Sequence, residues 1–195
     1  MNTFKSSITS LLTVALLSAP ALSAPGNVKF KGQARFVSDA PMEKINGIGS
    51  AVGSVNFDPE APASVSGKIS VPLSSMETGN KKRDEHMRGG EWLEANKCPD
   101  ISFEFSGAKL LDQSSKGDVK AFKLEVEGKF TVHCVTKPLK TTVTLKTKGP
   151  LVKVDSAFPV VLADHKIKGK EGVMGSKVGN SVKASVSLKG KMGSK

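Results

Sequence analysis

Hydrophobic and polar residues alternate along most of the chain after its first two dozen residues. In residues 28–36, Val28, Phe30 and Phe36 share one face, and the opposite face is polar and basic. The same alternation recurs in residues 65–73, 101–105, 122–130, 142–146 and 182–189. A period of two is typical of strands with one buried and one exposed face. The pattern predicts an all-β fold with little helix.

Turn-forming residues separate these runs, at Asp58-Pro59, 116–118, Lys137-Pro138, Gly149-Pro150 and Gly179-Asn180. Short connections make neighbouring strands antiparallel. Strands that all have one dry face form a sandwich or a closed barrel. We therefore predict one domain containing an antiparallel sheet, with about eight strands if it closes as a barrel. A barrel of that size can hold one small ligand.

The dry face of these strands carries most of the large apolar side chains. Those predicted to point inward are Phe30, Phe36, Ile69, Phe103, Phe105, Phe122, Leu124, Phe130, Leu145, Phe158 and Val186. They either fill the interior or line a cavity, and periodicity does not separate the two arrangements.

Residues 74–96 depart from the alternation, because they are rich in charges and helix formers. We predict a loop with one or two short helical turns near one end of the barrel. Its densest polar cluster is Arg83-Asp84-Glu85-His86. Ion pairs and helix caps account for such a cluster more simply than an acid–base site does.

The first 23 residues have the features of a secretory signal peptide. Lys5 precedes an apolar run at residues 8–17, and small residues follow. Cleavage is expected after Ala21 or Ser23, which leaves residues 24–195 as the barrel domain. An N-terminal membrane anchor is the alternative. We expect a periplasmic or secreted protein.

The formal net charge is +11, and removal of Lys5 would lower it to +10. Only 5% of residues are aromatic and none is tyrosine, which argues against a nucleic-acid partner. The basic residues are scattered through the sequence, which favours a solvated outer face over a dedicated patch. Weak peripheral contact with an anionic membrane is expected. The sequence leaves dimerisation open.

Two cysteines, Cys98 and Cys134, flank a predicted hairpin of residues 101–110 and 119–132. With its turn at 112–118, paired residue numbers should sum to about 230, and those of the cysteines sum to 232. They should therefore lie nearly opposite, where a disulfide would close a loop of about 35 residues. Two buried thiols or a redox pair are the alternatives.

No motif points to catalysis or to a metal. His86, His133 and His165 are too widely spaced for a zinc motif, and no Gly-x-Ser-x-Gly elbow is present. We predict no enzyme activity, no cofactor and no metal. A site assembled in three dimensions from His86, His133 and a cysteine, or a lumen enzyme using either histidine, is the competing hypothesis.

Several segments together resemble one family. They are residues 75–79 (SMETG), 82–88 (KRDEHMR), Trp92-Leu93, 99–103 (PDISF), 53–59 (GSVNFDP) and 126–137 (VEGKFTVHCVTK). They resemble the YceI-like proteins over roughly residues 28–188. The resemblance implies an exported, lipocalin-like barrel that binds a polyisoprenoid or another long lipid in its lumen, as a carrier or sequestering protein.

Within residues 74–96, Arg83, Asp84, His86 and Arg88 are predicted to lie at the barrel mouth. There, basic side chains, with Lys81 and Lys82, could meet an anionic head group. Cys98 and Cys134 replace an aromatic residue and a glycine that are usual in the family, which strengthens the disulfide prediction. The alternative function is a solid-core interaction module whose basic surface binds a membrane or an anionic polymer.

Overall fold

The computed structural model describes residues 26–39, 43–167 and 179–193 of the 195-residue chain. The predicted signal peptide, residues 1–23, lies outside the described residues. In the described ranges, no helix is both long and apolar enough to cross a bilayer.

Eight strands account for most of the described chain. They are β1 (Gly26–Asp39), β2 (Lys44–Phe57), β3 (Ser66–Pro72), β4 (Asp100–Lys116), β5 (Val119–Val132), β6 (Val135–Lys148), β7 (Leu151–Val161) and β8 (Ser181–Met192). Each strand pairs with its sequence neighbour, and β1 pairs with β8, so the sheet closes into an antiparallel barrel. The predicted all-β barrel of about eight strands is confirmed.

One α-helix, α1 (Lys81–Arg88), lies between β3 and β4, where short helical turns are predicted. The Asn80 side chain caps it by accepting a hydrogen bond from the Arg83 backbone N–H at 3.1 Å. Short 3-10 helices span Pro62–Ser64, Leu73–Ser75 and Leu162–His165.

The barrel has two different ends. The closed end holds the short connections β4–β5 and β6–β7, together with the start of β1 and the end of β8. The mouth end holds α1, the β5–β6 turn and the 3-10 helix before β8. At the closed end, the buried rings of Phe57 and Phe122 pack edge to face with centroids 5.8 Å apart.

The β4–β5 hairpin is longer than predicted. β4 continues to Lys116, which pairs with Val119, so the connection is only Gly117-Asp118 and not residues 112–118. Two irregularities in register lie between Phe105 and Ala108 and between Leu110 and Asp112. The end of β4 is exposed on both faces and mostly polar. Its sequence therefore lacks the alternation of apolar and polar residues that would predict a strand.

The predicted turn at Lys137-Pro138 is wrong. Pro138 lies inside β6 opposite Lys129, and the turn is His133-Cys134, between the pair Val132–Val135. Counting from that two-residue turn, Lys129 and Pro138 form a non-hydrogen-bonded pair, so proline removes no bond to β5. Among the described residues, none pairs with the other edge of β6 at Pro138, because β6 pairs with β7 only over residues 143–148.

β6 and β7 diverge above Val143, toward the mouth. At the divergence, the hydroxyl groups of Thr141 and Ser156 are 3.1 Å apart, and Ser156 donates to the Thr142 carbonyl at 2.9 Å. Nearer the mouth, His165 Nδ1 donates to the Val135 carbonyl at 3.0 Å and bridges the gap. Apolar side chains around Phe130 and Val160 pack in the same region.

Candidate functional site

The barrel encloses a cavity of about 940 Å³. Ten of the eleven residues predicted to point into the interior line this cavity: Phe30, Phe36, Ile69, Phe103, Phe105, Leu124, Phe130, Leu145, Phe158 and Val186. Phe122 points inward but does not border the cavity, because it packs against Phe57 in the solid closed end. The interior is therefore hollow over its upper part and filled below.

Further lining residues come from every strand and from the connections at the mouth. They include Val55, Val71, Val126, Val143, Val154, Val160, Val182, Met87, Trp92, Leu93 and Ile167. The valines follow the same alternation as the predicted set. Trp92, Leu93 and Ile167 lie in irregular segments, where sequence periodicity gives no direction for a side chain.

The cavity reaches the surface at the mouth end. Its wall there includes Lys82, Glu85 and His86 of α1, together with Glu91, and all four side chains are exposed. The mouth segment, residues 76–99, forms this part of the wall. Its start is held to β2 by two backbone hydrogen bonds between Ile48 and Glu77, of 2.9 and 2.8 Å.

The four residues predicted at the mouth have different positions. His86 and Arg83 border the cavity, and Arg83 also forms an ion pair with Glu43 at 2.7 Å. Asp84 is buried behind the rim and accepts hydrogen bonds from the backbone and hydroxyl groups of Thr78, at 2.8 and 2.6 Å. Arg88 donates to the Met76 carbonyl at 2.7 Å and does not line the cavity. Asp84 and Arg88 therefore hold the mouth segment together.

Among the residues that the structure describes, the charges around the cavity are equal in number. Three basic side chains border it, from Arg35, Lys82 and Arg83. Three acidic side chains also border it, from Glu43, Glu85 and Glu91. The described lining therefore carries no net charge at its rim, and the lining below the rim is mainly apolar.

Cys98 and Cys134 form a disulfide, with a Cα–Cα distance of 5.4 Å, which confirms the predicted pairing. It joins the end of the mouth segment to the β5–β6 turn. His133 and Cys134 occupy this turn with φ values of 51° and 57°. Both values lie in the left-handed region, which favours glycine.

Two histidines, His133 and His165, form hydrogen bonds to backbone carbonyls on the same side of the mouth. His133 Nδ1 donates to the His165 carbonyl at 3.0 Å, and its Nε2 lies 3.6 Å from Glu94 Oε2. The hydrogen bond from Lys97 holds the pKa of Glu94 below its usual value, and the charges of Lys97 and His133 act in the same direction. In the part of the chain that the structure describes, no group of three or more histidine, cysteine or acidic residues could hold a metal ion.

A closed eight-stranded antiparallel barrel with one solid end and an apolar lumen defines a lipocalin-like class of protein. The sequence profile of the YceI-like domain matches residues 12–190, and the chain belongs to this family.

Known relatives agree with this assignment. A UPF0312 protein of Pseudomonas aeruginosa is 32% identical over 96 residues, which cover 49% of this chain and 44% of that protein. The chain thus aligns with about half the length of this curated relative. Burkholderia cenocepacia BcnA has a similar structure, with a TM-score of 0.68 and 21% identity over 81% of this chain and 95% of BcnA.

A polyisoprenoid binding domain from Saccharophagus degradans, implicated in plant cell wall breakdown, also has this fold. Its TM-score is 0.65 at 12% identity, covering 87% of this chain and all of that domain. At these identities, both solved structures establish the fold.

Proposed function

We propose that this protein is exported and carries or sequesters a long apolar molecule, a polyisoprenoid or another lipid, in the barrel lumen. The observation that carries the proposal is the hollow, mainly apolar interior of about 940 Å³. That volume lies toward the upper end of the range of roughly 300–1,000 Å³ for small-molecule sites. The polyisoprenoid-binding relative supports the choice of ligand class.

The proposed mechanism is burial of the ligand's apolar chain in the lumen, with no covalent step. Each methylene group removed from water contributes about 0.8 kcal/mol, so a long chain can bind without any polar contact in the lumen. The rings at the solid end, Phe57 and Phe122, limit how far the chain penetrates. Among the described residues, basic and acidic side chains at the cavity rim are equal in number, which favours an uncharged or weakly polar head group over an anionic one.

Catalysis is not part of the proposal. The Nδ1 atoms of His133 and His165 donate to backbone carbonyls, which gives both rings structural partners. His86 borders the cavity on an exposed helix, where water has access. The hollow interior also argues against the alternative function, because a solid-core module would contain no such cavity.

The test uses protein purified from the exported fraction. Intact mass should show loss of residues 1–21 or 1–23, and an organic extract should contain a long-chain lipid by mass spectrometry. After delipidation, a fluorescent fatty-acid probe should bind and be displaced by a polyisoprenoid alcohol.

Two alanine variants separate lumen binding from surface binding. Ala184 lines the cavity on β8, whereas Ala157 is exposed on the outside of β7. Ala184→Trp should fill part of the lumen and weaken probe binding at least tenfold, and Ala157→Trp should leave it unchanged. Equal binding by both variants, or no lipid and no probe uptake by the parent protein, would sink the proposal.

A further inference from the structure

Seven lysines from three stretches of the sequence that are far apart, residues 29–31, 146–153 and 189–191, meet on the outside of the barrel. Strand register places two rows of outward-facing residues across β6, β7, β8 and β1, toward the closed end. The first row is Lys148, Leu151, Lys191 and Lys29. The second row is Lys146, Lys153, Lys189 and Lys31. We name these eight residues the lysine patch; at ordinary strand spacing it measures about 15 by 7 Å.

The patch is exposed and largely uncompensated. All eight residues are exposed. Within the described part of the chain, the one ion pair of these lysines joins Lys153 to Asp155, at 2.9 Å. The flanking outward positions on β2 and β5 carry no charge; they are Val52, Ser54, Val119 and Ala121. The lysines lie on an exposed outer face, as the sequence predicts, and the register adds that these seven are neighbours there.

This arrangement does not serve the stability of the barrel. Lys29 faces Lys191, and Lys189 faces both Lys31 and Lys153, directly across the strand pairs. Like charges at directly opposed positions destabilise a sheet. A surface that is unfavourable for folding and concentrated at one place indicates an external anionic partner.

Exposed apolar side chains identify the kind of partner. Leu151 is 57% exposed at the closed-end edge of the patch, beside Lys148 and Lys191. Val52, next to Lys31, is 42% exposed. Lysines around protruding apolar side chains match a bilayer, whose anionic head groups attract the charge and whose interface accepts the apolar tips. A single-stranded nucleic acid is bound partly by aromatic stacking, and the single tryptophan, Trp92, borders the cavity instead.

We propose that the lysine patch docks the barrel on an anionic phospholipid membrane. Leu151 enters the interface between head groups, and the seven lysines contact the lipid phosphates. The patch lies toward the closed end, so docking leaves the mouth free. This proposal does not depend on what the lumen holds.

The experiment measures partitioning of the full chain onto vesicles by sedimentation. The vesicles contain equal parts of phosphatidylcholine and phosphatidylglycerol, or phosphatidylcholine alone. The variant Lys31→Gln/Lys189→Gln removes two patch lysines. The control, Lys68→Gln/Lys123→Gln, makes the same charge change at exposed positions opposite Glu104 and Asp112.

Binding should occur on the anionic vesicles only and weaken as salt rises. The patch variant should bind roughly 10–30-fold more weakly, because each lysine near such a surface is worth about fivefold. The control should bind like the parent. The patch variant should be at least as resistant to urea as the parent, which excludes misfolding as the cause of lost binding.

Leu151→Ser distinguishes a membrane from an anionic polymer. It should weaken vesicle binding and leave binding to dextran sulfate unchanged. Equal loss in the patch and control variants would overturn the proposal. So would binding to dextran sulfate without binding to anionic vesicles, or a Leu151→Ser variant that binds vesicles like the parent.

Discussion

At the scale of single residues, two glycines of this barrel have different roles. A Cβ at Gly32 would lie 2.1 Å from the Ser187 carbonyl oxygen and 2.8 Å from Leu188 Cα, both of them backbone atoms of β8. A Cβ at Gly47 would lie 2.0 Å from Phe36 Cε1, on a ring that lines the cavity. Gly32 permits the closure of the sheet, whereas Gly47 makes room for one movable side chain.

The two glycines therefore predict different costs for the same substitution. Gly32→Ala should lower the free energy of unfolding by about 1–3 kcal/mol or more, because the β1–β8 backbones must separate. Gly47→Ala should cost less than about 1 kcal/mol, because the Phe36 ring can turn into empty space. Urea denaturation measures both values. Equal costs would show that the ring over Gly47 is as fixed as the backbone beside Gly32.

At the scale of elements, the mouth segment is fastened at both ends. Its start is bonded to Ile48 of β2, and its end is joined to the β5–β6 turn by the Cys98–Cys134 disulfide. The segment supplies Met87, Trp92 and Leu93 to the cavity wall, so its attachment determines the shape of the mouth. The cysteine in the turn takes a backbone conformation that suits glycine better, with φ at 57°.

Two variants that lack the disulfide should separate the stabilisation by the crosslink from the cost of a positive φ at Cys134. Cys98→Ser/Cys134→Ser should lower the free energy of unfolding by about 2–4 kcal/mol. Cys98→Ser/Cys134→Gly should recover roughly 1 kcal/mol of that loss, because glycine adopts a positive φ without a Cβ clash. Urea titrations of the two variants and the oxidised parent measure the difference. A glycine variant no more stable than the serine variant would contradict this account of the turn.

The sequence predicts strands well where one face is dry and poorly where neither face is. Val119–Val132 alternates between buried and exposed positions, and its inward residues are predictable from period two. The end of β4 has no dry face, so it resembles a loop in sequence. Pro138 resembles a turn in sequence, because its place on β6 outside the pairing with β7 depends on register, which no local pattern records.

The candidate site is also only partly predictable from the sequence. Which side chains point inward follows from alternation, but whether they meet across the barrel depends on diameter and register. Phe122 and Phe130 lie on the same face of β5, yet one closes the barrel and the other lines the cavity. In β1, β6 and β8 the sequence shows only two of the outward-facing patch lysines per strand, and the register of strand pairing brings them together as the lysine patch.

At the scale of the whole molecule, the hollow core makes stability depend on what fills it. About 940 Å³ of the interior is not filled by the residues that the structure describes. A ligand that binds only the folded state therefore adds its binding free energy to that of folding.

Delipidated protein should melt at a lower temperature than loaded protein. At a ligand concentration 100 times its dissociation constant, the gain is about 2.7 kcal/mol. For a domain of this size, each kcal/mol raises the melting temperature by about 2–4 °C, so a shift of roughly 5–11 °C is expected. Differential scanning calorimetry with a polyisoprenoid alcohol measures it. The Ala184→Trp variant should shift less, and an unchanged melting temperature for the parent would argue against lumen binding.

The pairing of β1 with β8 has a practical consequence for attachment. Val28 lies opposite Met192, so the first and last strands of the described barrel have their outer ends side by side at the closed end. A fusion partner or an immobilising tag joined at either of these ends would sit on the far side of the molecule from α1. It would leave entry to the lumen unobstructed, but it would stand beside Lys29 and Lys191 and shield them. Assays of lumen uptake therefore tolerate such a handle, whereas assays of the basic surface call for its removal.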